Sequence, residues 1–263
     1  MELNNESKTL FIPLYGKALM SKQNLFIKDE KAEEIINSVE YNFKELKQSK
    51  WLSMYMAARA AQLDKMCNNY IKENENSVVI HLGCGLDSRV LRVNQEYKMW
   101  YDLDFESVIE LRKQYYNETD KYKMIGKSVI DLTWLEEIKE YENVLIIAEG
   151  LTMYLSEEEL KNIMDKIDSK FSKVTLIFDA YSKKAVKASK LKNPVNQMNA
   201  QIKFGMDKAE DILKLNNNLK FVNEYTIEYK EDNLKGMTKI IFEKVYCGKI
   251  AQSYYKIYEF KLS

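Results

Sequence analysis

The chain has 263 residues, 46% hydrophobic and 30% charged, a composition that suits a folded protein with a sizeable core and excludes a disordered one. Lysine and arginine total 40 and balance 40 aspartates and glutamates, so no overall field favours nucleic acid or an anionic membrane. A single histidine and three scattered cysteines, Cys67, Cys84 and Cys247, exclude a disulfide framework and a CxxC metal site and argue against zinc, so no metal is expected.

Met1 to Glu6 is polar and acidic, unlike a signal peptide. The longest apolar runs, such as Val144 to Leu155, are broken by Glu149 and too short to span a bilayer, so a reduced cytoplasmic protein is the expectation. Residues 1–76 read as helical. Asp29 is placed to cap a helix with Glu30 and Glu33 in its first turn. A second helix is expected from about Trp51 to Ile71, because Trp51, Leu52, Tyr55, Met56, Ala58 and Leu63 recur at helical spacing. Arg59 sits inside that apolar stretch, where an arginine is as readily a snorkelling surface residue as a ligand.

From Val78 onward short apolar runs alternate with helical patterns, the arrangement of βαβ units around a parallel sheet. Strands are expected at Val78–Leu82, Tyr97–Leu103, Lys123–Ile130, Asn143–Ala148 and Val174–Phe178. Ser156, with Glu157, Glu158 and Glu159 behind it, opens a capped helix. The lysine- and asparagine-rich section near 180–215 reads as a helical insertion or cap over a substrate. Its lysines Lys183, Lys184, Lys187, Lys190 and Lys192 are best taken as a solvated helix face. Two last runs, Leu219–Tyr229 and Ser253–Leu262, flank a helix over about Met237 to Cys247, and the alternation of the final run suits a closing antiparallel strand.

The chemistry gathers around His81-Leu82-Gly83-Cys84-Gly85-Leu86-Asp87-Ser88-Arg89. A buried strand running into a glycine-bracketed turn lets a ligand approach bare backbone. The third glycine of a dinucleotide fingerprint is replaced by Ser88, and no phosphate-loop Gly-Lys-Ser/Thr follows. Acids then recur at the carboxyl ends of successive strands: Asp102 and Asp104, Asp131, and Glu149. A carboxylate at either Asp102 or Asp104 is placed to accept both ribose hydroxyls of a nucleoside. His81 reads as a hydrogen-bonded core residue rather than a base. Cys84 reads as a small residue in a tight turn rather than a reactive thiol.

Four segments resemble the leucine carboxyl methyltransferase family: Leu10 to Ala18, His81 to Arg89, Tyr101 to Phe105, and Ala148-Glu149-Gly150-Leu151-Thr152-Met153-Tyr154-Leu155. The similarity is closest to the bacterial branch of O-methyltransferases of polyketide biosynthesis and covers nearly the whole chain. It implies an α/β, Rossmann-like class I methyltransferase forming one domain over residues 1–263. A helical lid (1–76) would precede a core (77–263) built on a seven-stranded, mostly parallel sheet with one antiparallel strand and helices on both faces. It implies S-adenosylmethionine as cofactor. Gly83 would lie under its methionine part, Asp104 or Asp102 on the ribose, Asp131 on the adenine amino group and the Leu132 amide on a ring nitrogen. Glu149 would face the amino group and Arg59 the carboxylate. Tyr15 and Tyr154 are the expected pocket residues for a small-molecule acceptor, with no base assigned. A non-catalytic cofactor-binding protein and a methyltransferase for protein C-terminal carboxylates are the alternatives.

Overall fold

The computed structural model describes residues 7–189, 202–227 and 233–262. Three lid helices come first: α1 (Phe11–Lys22), α2 (Glu30–Ser38) and α3 (Lys50–Glu73). Asp29 caps α2 by accepting from Ala32 N at 2.9 Å, as its sequence position implied. α3 runs for 24 residues without a proline or glycine, capped by Ser49, whose hydroxyl accepts from Leu52 N.

The core then alternates strand and helix: β1 (Val78–Leu82), α4 (Arg89–Arg92), β2 (Met99–Asp104), α5 (Glu106–Arg112), β3 (Tyr122–Gly126), β4 (Val144–Ala148), α6 (Glu157–Lys170) and β5 (Val174–Tyr181). After β5 come α7 (Lys183–Ser189), α8 (Glu210–Leu213), β6 (Leu219–Tyr225), α9 (Gly236–Ile241), α10 (Lys249–Gln252) and β7 (Tyr255–Leu262), with a π-turn over Phe242–Tyr246. Ser156 and Glu159 make a reciprocal capping box at the start of α6.

The seven strands lie in the order β3-β2-β1-β4-β5-β7-β6. β7 is antiparallel to both of its neighbours and the other pairings are parallel, so the sheet has the expected single reversed strand. The order reverses between β1 and β4, and open α/β sheets bind ligands where that happens, outside the carboxyl ends. β1 and β4 are buried at every position because both faces of the sheet are covered.

The two faces sort by strand period. Val78, Ile80 and Leu82 join Leu160, Ile163 and Ile167 of α6, whereas Val79 joins Leu63, Cys67 and Ile71 of α3. Each fully buried Ile or Leu in these layers contributes roughly 1.5–3 kcal/mol. The lid is thus a layer of the core, since α3 closes one face of the sheet.

Some boundaries differ from those read off the sequence. The third strand stops at Gly126, not Ile130, because Asp131 starts a short 3₁₀ turn over Leu132–Glu137. The fifth strand continues to Tyr181, paired along its length with β7. In the section near 180–215, helices form at 183–189 and 210–213, while 190–201, with Lys190 and Lys192, lies outside the described residues. Lys183 pairs with Asp211, and the Lys184 ammonium stands 5.5 Å over the Tyr254 ring. No helix among the described residues is long and apolar enough to cross a membrane.

Candidate active site

A cavity of about 690 Å³ opens at the carboxyl ends of β1, β2 and β4, under α1 and α3. Its floor begins with Gly83 (φ +63°) and Gly85 (φ +52°), left-handed conformations that favour glycine. A Cβ on Gly83 would stand 3.1 Å from Leu151 Cδ1. The loop is pinned from β2 and α5. Cys84 N donates to Leu103 O at 3.1 Å, Gly85 N donates to Asp104 Oδ2 at 2.8 Å, and Arg112 Nη1 donates to Gly85 O at 3.1 Å. Cys84 is buried, and burial pushes its thiol well above the ordinary range, which makes it inert at neutral pH.

Arg59, Gly83, Asp104, Glu149 and Tyr154 all line this cavity. Asp104 projects one residue past the end of β1, because Leu82 pairs with Leu103. Burial raises its carboxyl against the pull of the Gly85 and Phe105 amides. Asp102 lies elsewhere, and the choice that the sequence left open between the two acids is narrowed by geometry. Two residues deeper in β2 and paired with His81, Asp102 is fully buried and does not line the cavity. It accepts from Trp100 Nε1 at 2.8 Å and Tyr122 Oη at 2.7 Å, and is ion-paired with Arg112. Burial alone would raise its carboxyl, yet the Arg112 guanidinium holds it below the usual range. Those partners use its oxygens and hold it inside the sheet.

Asp131 and Leu132 stand just beyond the lining residues Ser128, Val129 and Ile130. Asp131 is exposed and accepts from Thr133 Oγ1 at 2.8 Å and Thr133 N at 3.2 Å, bonds that hold its carboxyl below the ordinary value. Tyr15 does not line the cavity. It faces the other side of α1, stacked on Phe43 at 5.0 Å between ring centroids, because the helical period turns Leu14 and Lys17 inward instead.

Glu149 follows β4 and receives Arg59 Nε at 2.8 Å and Arg89 Nη2 at 2.5 Å. Burial would raise its carboxyl, but the two guanidiniums outweigh burial and lower it to about 2. Lys17 from α1 pairs with Asp87, which also meets Arg92 at 3.1 Å. Asp87 is driven well below the carboxylate range, because Arg92, Lys17 and Arg89 together overcome its burial. Behind them Asp64 takes Arg89 Nε at 2.8 Å and Arg92 Nε at 2.6 Å, and Asp29 takes Arg92 Nη1 at 2.9 Å. The Gly-Leu-Asp-Ser-Arg run thereby folds into an ion-paired floor that ties loop, lid and sheet together.

His81 is part of that floor. Its Nε2 is 3.1 Å from Arg89 Nη1, and its Nδ1 is 3.5 Å from Asp102 Oδ1. A guanidinium only donates, so Nε2 accepts and the ring proton is assigned to Nδ1. With its lone pair held by Arg89, His81, which also lines the cavity, is placed as a hydrogen-bonded residue of the floor.

The sequence reading missed Lys17, Asp87, Arg89, Asp179 and Tyr255. Lys17, Asp87 and Arg89 lie inside segments already singled out, and Asp179 follows the apolar run Val174–Phe178 as the other acids follow theirs. For Tyr255 the sequence carries no signal.

The sequence matches the leucine carboxyl methyltransferase family over residues 7–168, more than half of the chain. The protein belongs to that family. A tetracenomycin polyketide synthesis O-methyltransferase, TcmP of Streptomyces glaucescens, is 32% identical over 182 residues, 68% of this chain and 67% of TcmP. An S-adenosyl-L-methionine-dependent methyltransferase, dpfgK of Gibberella zeae, is 29% identical over 186 residues, 64% of this chain and 62% of dpfgK. The chain thus spans about two thirds of the length of each relative. In fold it is similar to magnesium protoporphyrin IX methyltransferase from Synechocystis PCC 6803, crystallised with bound S-adenosylhomocysteine. That match has a TM-score of 0.54 and 14% identity, and covers 89% of this chain and 93% of the other.

This leucine carboxyl methyltransferase family member is an S-adenosylmethionine-dependent methyltransferase. The cavity suits that cofactor. Glycine backbone at positive φ leaves room for close approach, an acid ends β2 on the cavity, and carboxylate and guanidinium meet at the end of β4 as a zwitterion requires.

Proposed function

We propose that the protein transfers the methyl group of S-adenosylmethionine to a carboxylate or hydroxyl oxygen of a small, largely apolar molecule. The observation that carries this reading is the make-up of the cavity. One part is the charged and glycine-bare floor, and the rest is apolar and aromatic, walled by Leu52, Met56, Met153, Tyr154 and Tyr181. On the cofactor side, Gly83 underlies the methionine part and Asp104 takes the ribose hydroxyls. Asp131 accepts from the adenine amino group, the Leu132 amide donates to a ring nitrogen, Glu149 faces the amino group and Arg59 the carboxylate.

The bound cofactor supplies an electrophilic methyl on a sulfonium. The protein's part is to hold an acceptor oxygen in line with it, about 3 Å away and shielded from water. A carboxylate acceptor is already ionised and needs no base, which agrees with a floor whose acids are ion-paired and whose histidine lone pair is occupied. TcmP, named for O-methylation in polyketide synthesis, supports oxygen as the acceptor atom.

The test is turnover on a panel of aromatic and aliphatic carboxylic acids and phenols with S-adenosylmethionine, followed by mass spectrometry. A methyl ester or ether is the expected product. Tight binding of S-adenosylhomocysteine with no transfer to any oxygen acceptor, or transfer to nitrogen acceptors only, overturns the proposal.

A further inference from the structure

Behind Arg59 lies a second layer, in which Asp179 and Tyr255 do not line the cavity. Asp179, at the carboxyl end of β5, is fully buried, and its Oδ2 stands 3.3 Å from Arg59 Nη1. Its Oδ1 accepts from Gly150 N at 2.7 Å, and its carbonyl accepts from Thr152 Oγ1 at 2.5 Å. Tyr255, the first residue of β7, donates its hydroxyl proton to Asp179 and accepts from Arg59 Nη1 at 3.2 Å. The Tyr255 ring is itself held edge-on by Tyr55 at 5.7 Å and Tyr181 at 5.2 Å.

These contacts occupy defined edges of the guanidinium. Nε is taken by Glu149 and Nη1 by the Asp179–Tyr255 pair. Nη2 lies beside Gly150, 3.6 Å from where a Cβ on that glycine would stand, and Arg59 and Gly150 both line the cavity. A planar fork with two edges committed offers the third in a single orientation.

From this geometry we infer that Asp179 and Tyr255 are positioning residues that aim Arg59 at the carboxylate of the cofactor's amino-acid end. The inference rests on the assignment of Arg59 to that carboxylate. Asp179 does two things at once. It turns the arginine, and through Gly150 N it sets the bend that follows Glu149, so both poles of the zwitterion site are registered to the end of β5. Tyr255 brings the reversed strand into the same arrangement, although it is 196 residues from Arg59 in sequence.

The experiment compares two ligands on the full-length protein by titration calorimetry. S-adenosylhomocysteine carries the carboxylate, whereas 5′-methylthioadenosine keeps the adenosyl and sulfur and lacks the amino-acid end. Tyr255→Phe keeps the ring packing and removes the hydroxyl. It is expected to weaken S-adenosylhomocysteine about 5-fold, with Asp179→Asn about 10-fold or more, while 5′-methylthioadenosine binds as in wild type. In an Arg59→Lys background, Tyr255→Phe should add almost nothing, because the fork it orients is gone. Equal weakening of both ligands marks a general packing defect and overturns the inference. So does an unchanged Tyr255→Phe beside a weakened Arg59→Lys. If Arg59→Lys itself binds S-adenosylhomocysteine like wild type, the assignment of Arg59 fails first. Retained 5′-methylthioadenosine binding shows in each case that the variant is folded.

Discussion

Arg59 on the lid and Glu149 at the end of β4 are 90 residues apart in sequence and joined at 2.8 Å in the fold. The bond ties lid to sheet at the point where the cofactor's charged end is expected. Glu149→Gln leaves Arg59 and Arg89 buried without their shared countercharge, which should cost about 3 kcal/mol of unfolding free energy. Urea titration at neutral pH measures it.

The same carboxylate makes stability depend on pH. Its folded value is depressed to about 2 from an ordinary 4.5, so its contribution is present above about pH 4.5 and is lost as pH falls toward 2. The gap in unfolding free energy between wild type and Glu149→Gln should therefore narrow across that window. A gap that holds constant down to pH 3 would show that the ion pair is not its source.

Asp102 and Asp104 should part company under mutation. Asp102→Asn leaves Arg112, itself fully buried, without its ion pair and should cost about 3 kcal/mol with little change in S-adenosylhomocysteine affinity while the protein is folded. Asp104→Asn should lose about 10-fold in affinity, with a smaller stability loss of about 1 kcal/mol because its one oxygen cannot serve both the Gly85 and the Phe105 amide. Calorimetric binding and thermal melts of the two variants, run side by side, decide it.

Gly83→Ala should destabilise by about 1–2 kcal/mol and weaken cofactor binding, since φ at +63° favours glycine. The added Cβ would also meet Leu151 Cδ1, but that is the tip of a flexible side chain. Leu151→Ala in the same chain is therefore expected not to restore stability. Recovery would mean that crowding, not backbone strain, is the cause.

Asp131→Ala tests the adenine side. The carboxylate is exposed and bonded locally, to Thr133, so the stability loss should be no more than that of one cap, about 1 kcal/mol. Affinity for both S-adenosylhomocysteine and 5′-methylthioadenosine should fall about 5-fold, because both carry adenine. No change in either would remove Asp131 from the site.

Much of this architecture was legible in sequence because it rests on short-range signals. Val78–Leu82 and Val144–Ala148 are continuous apolar runs, Gly83 and Gly85 bracket a turn, and Ser156 with Glu159 spells a capping box. The resemblance carried over Arg59 and Glu149, and the fold placed both on the cavity. What sequence pattern could not resolve was depth. Asp102 and Asp104 lie on the same face of one strand, and only the register with β1 shows which passes the end of its neighbour. Tyr15 lies off the cavity for a related reason, as helical phase within α1 turns Lys17 inward and Tyr15 toward Phe43. Tyr255 was invisible because its meaning comes from pairing between strands far apart in the chain.

The position of β7 bears on how the chain is made. β1 to β5 can assemble in order of synthesis, but β6 touches the sheet only through β7, which is translated after it. A nascent chain stalled before residue 255 therefore holds a five-stranded sheet with the β5 edge unpaired and the hydroxyl facing Arg59 not yet in place. If Tyr255 orients Arg59 as inferred, full cofactor affinity arrives only when this last strand has paired.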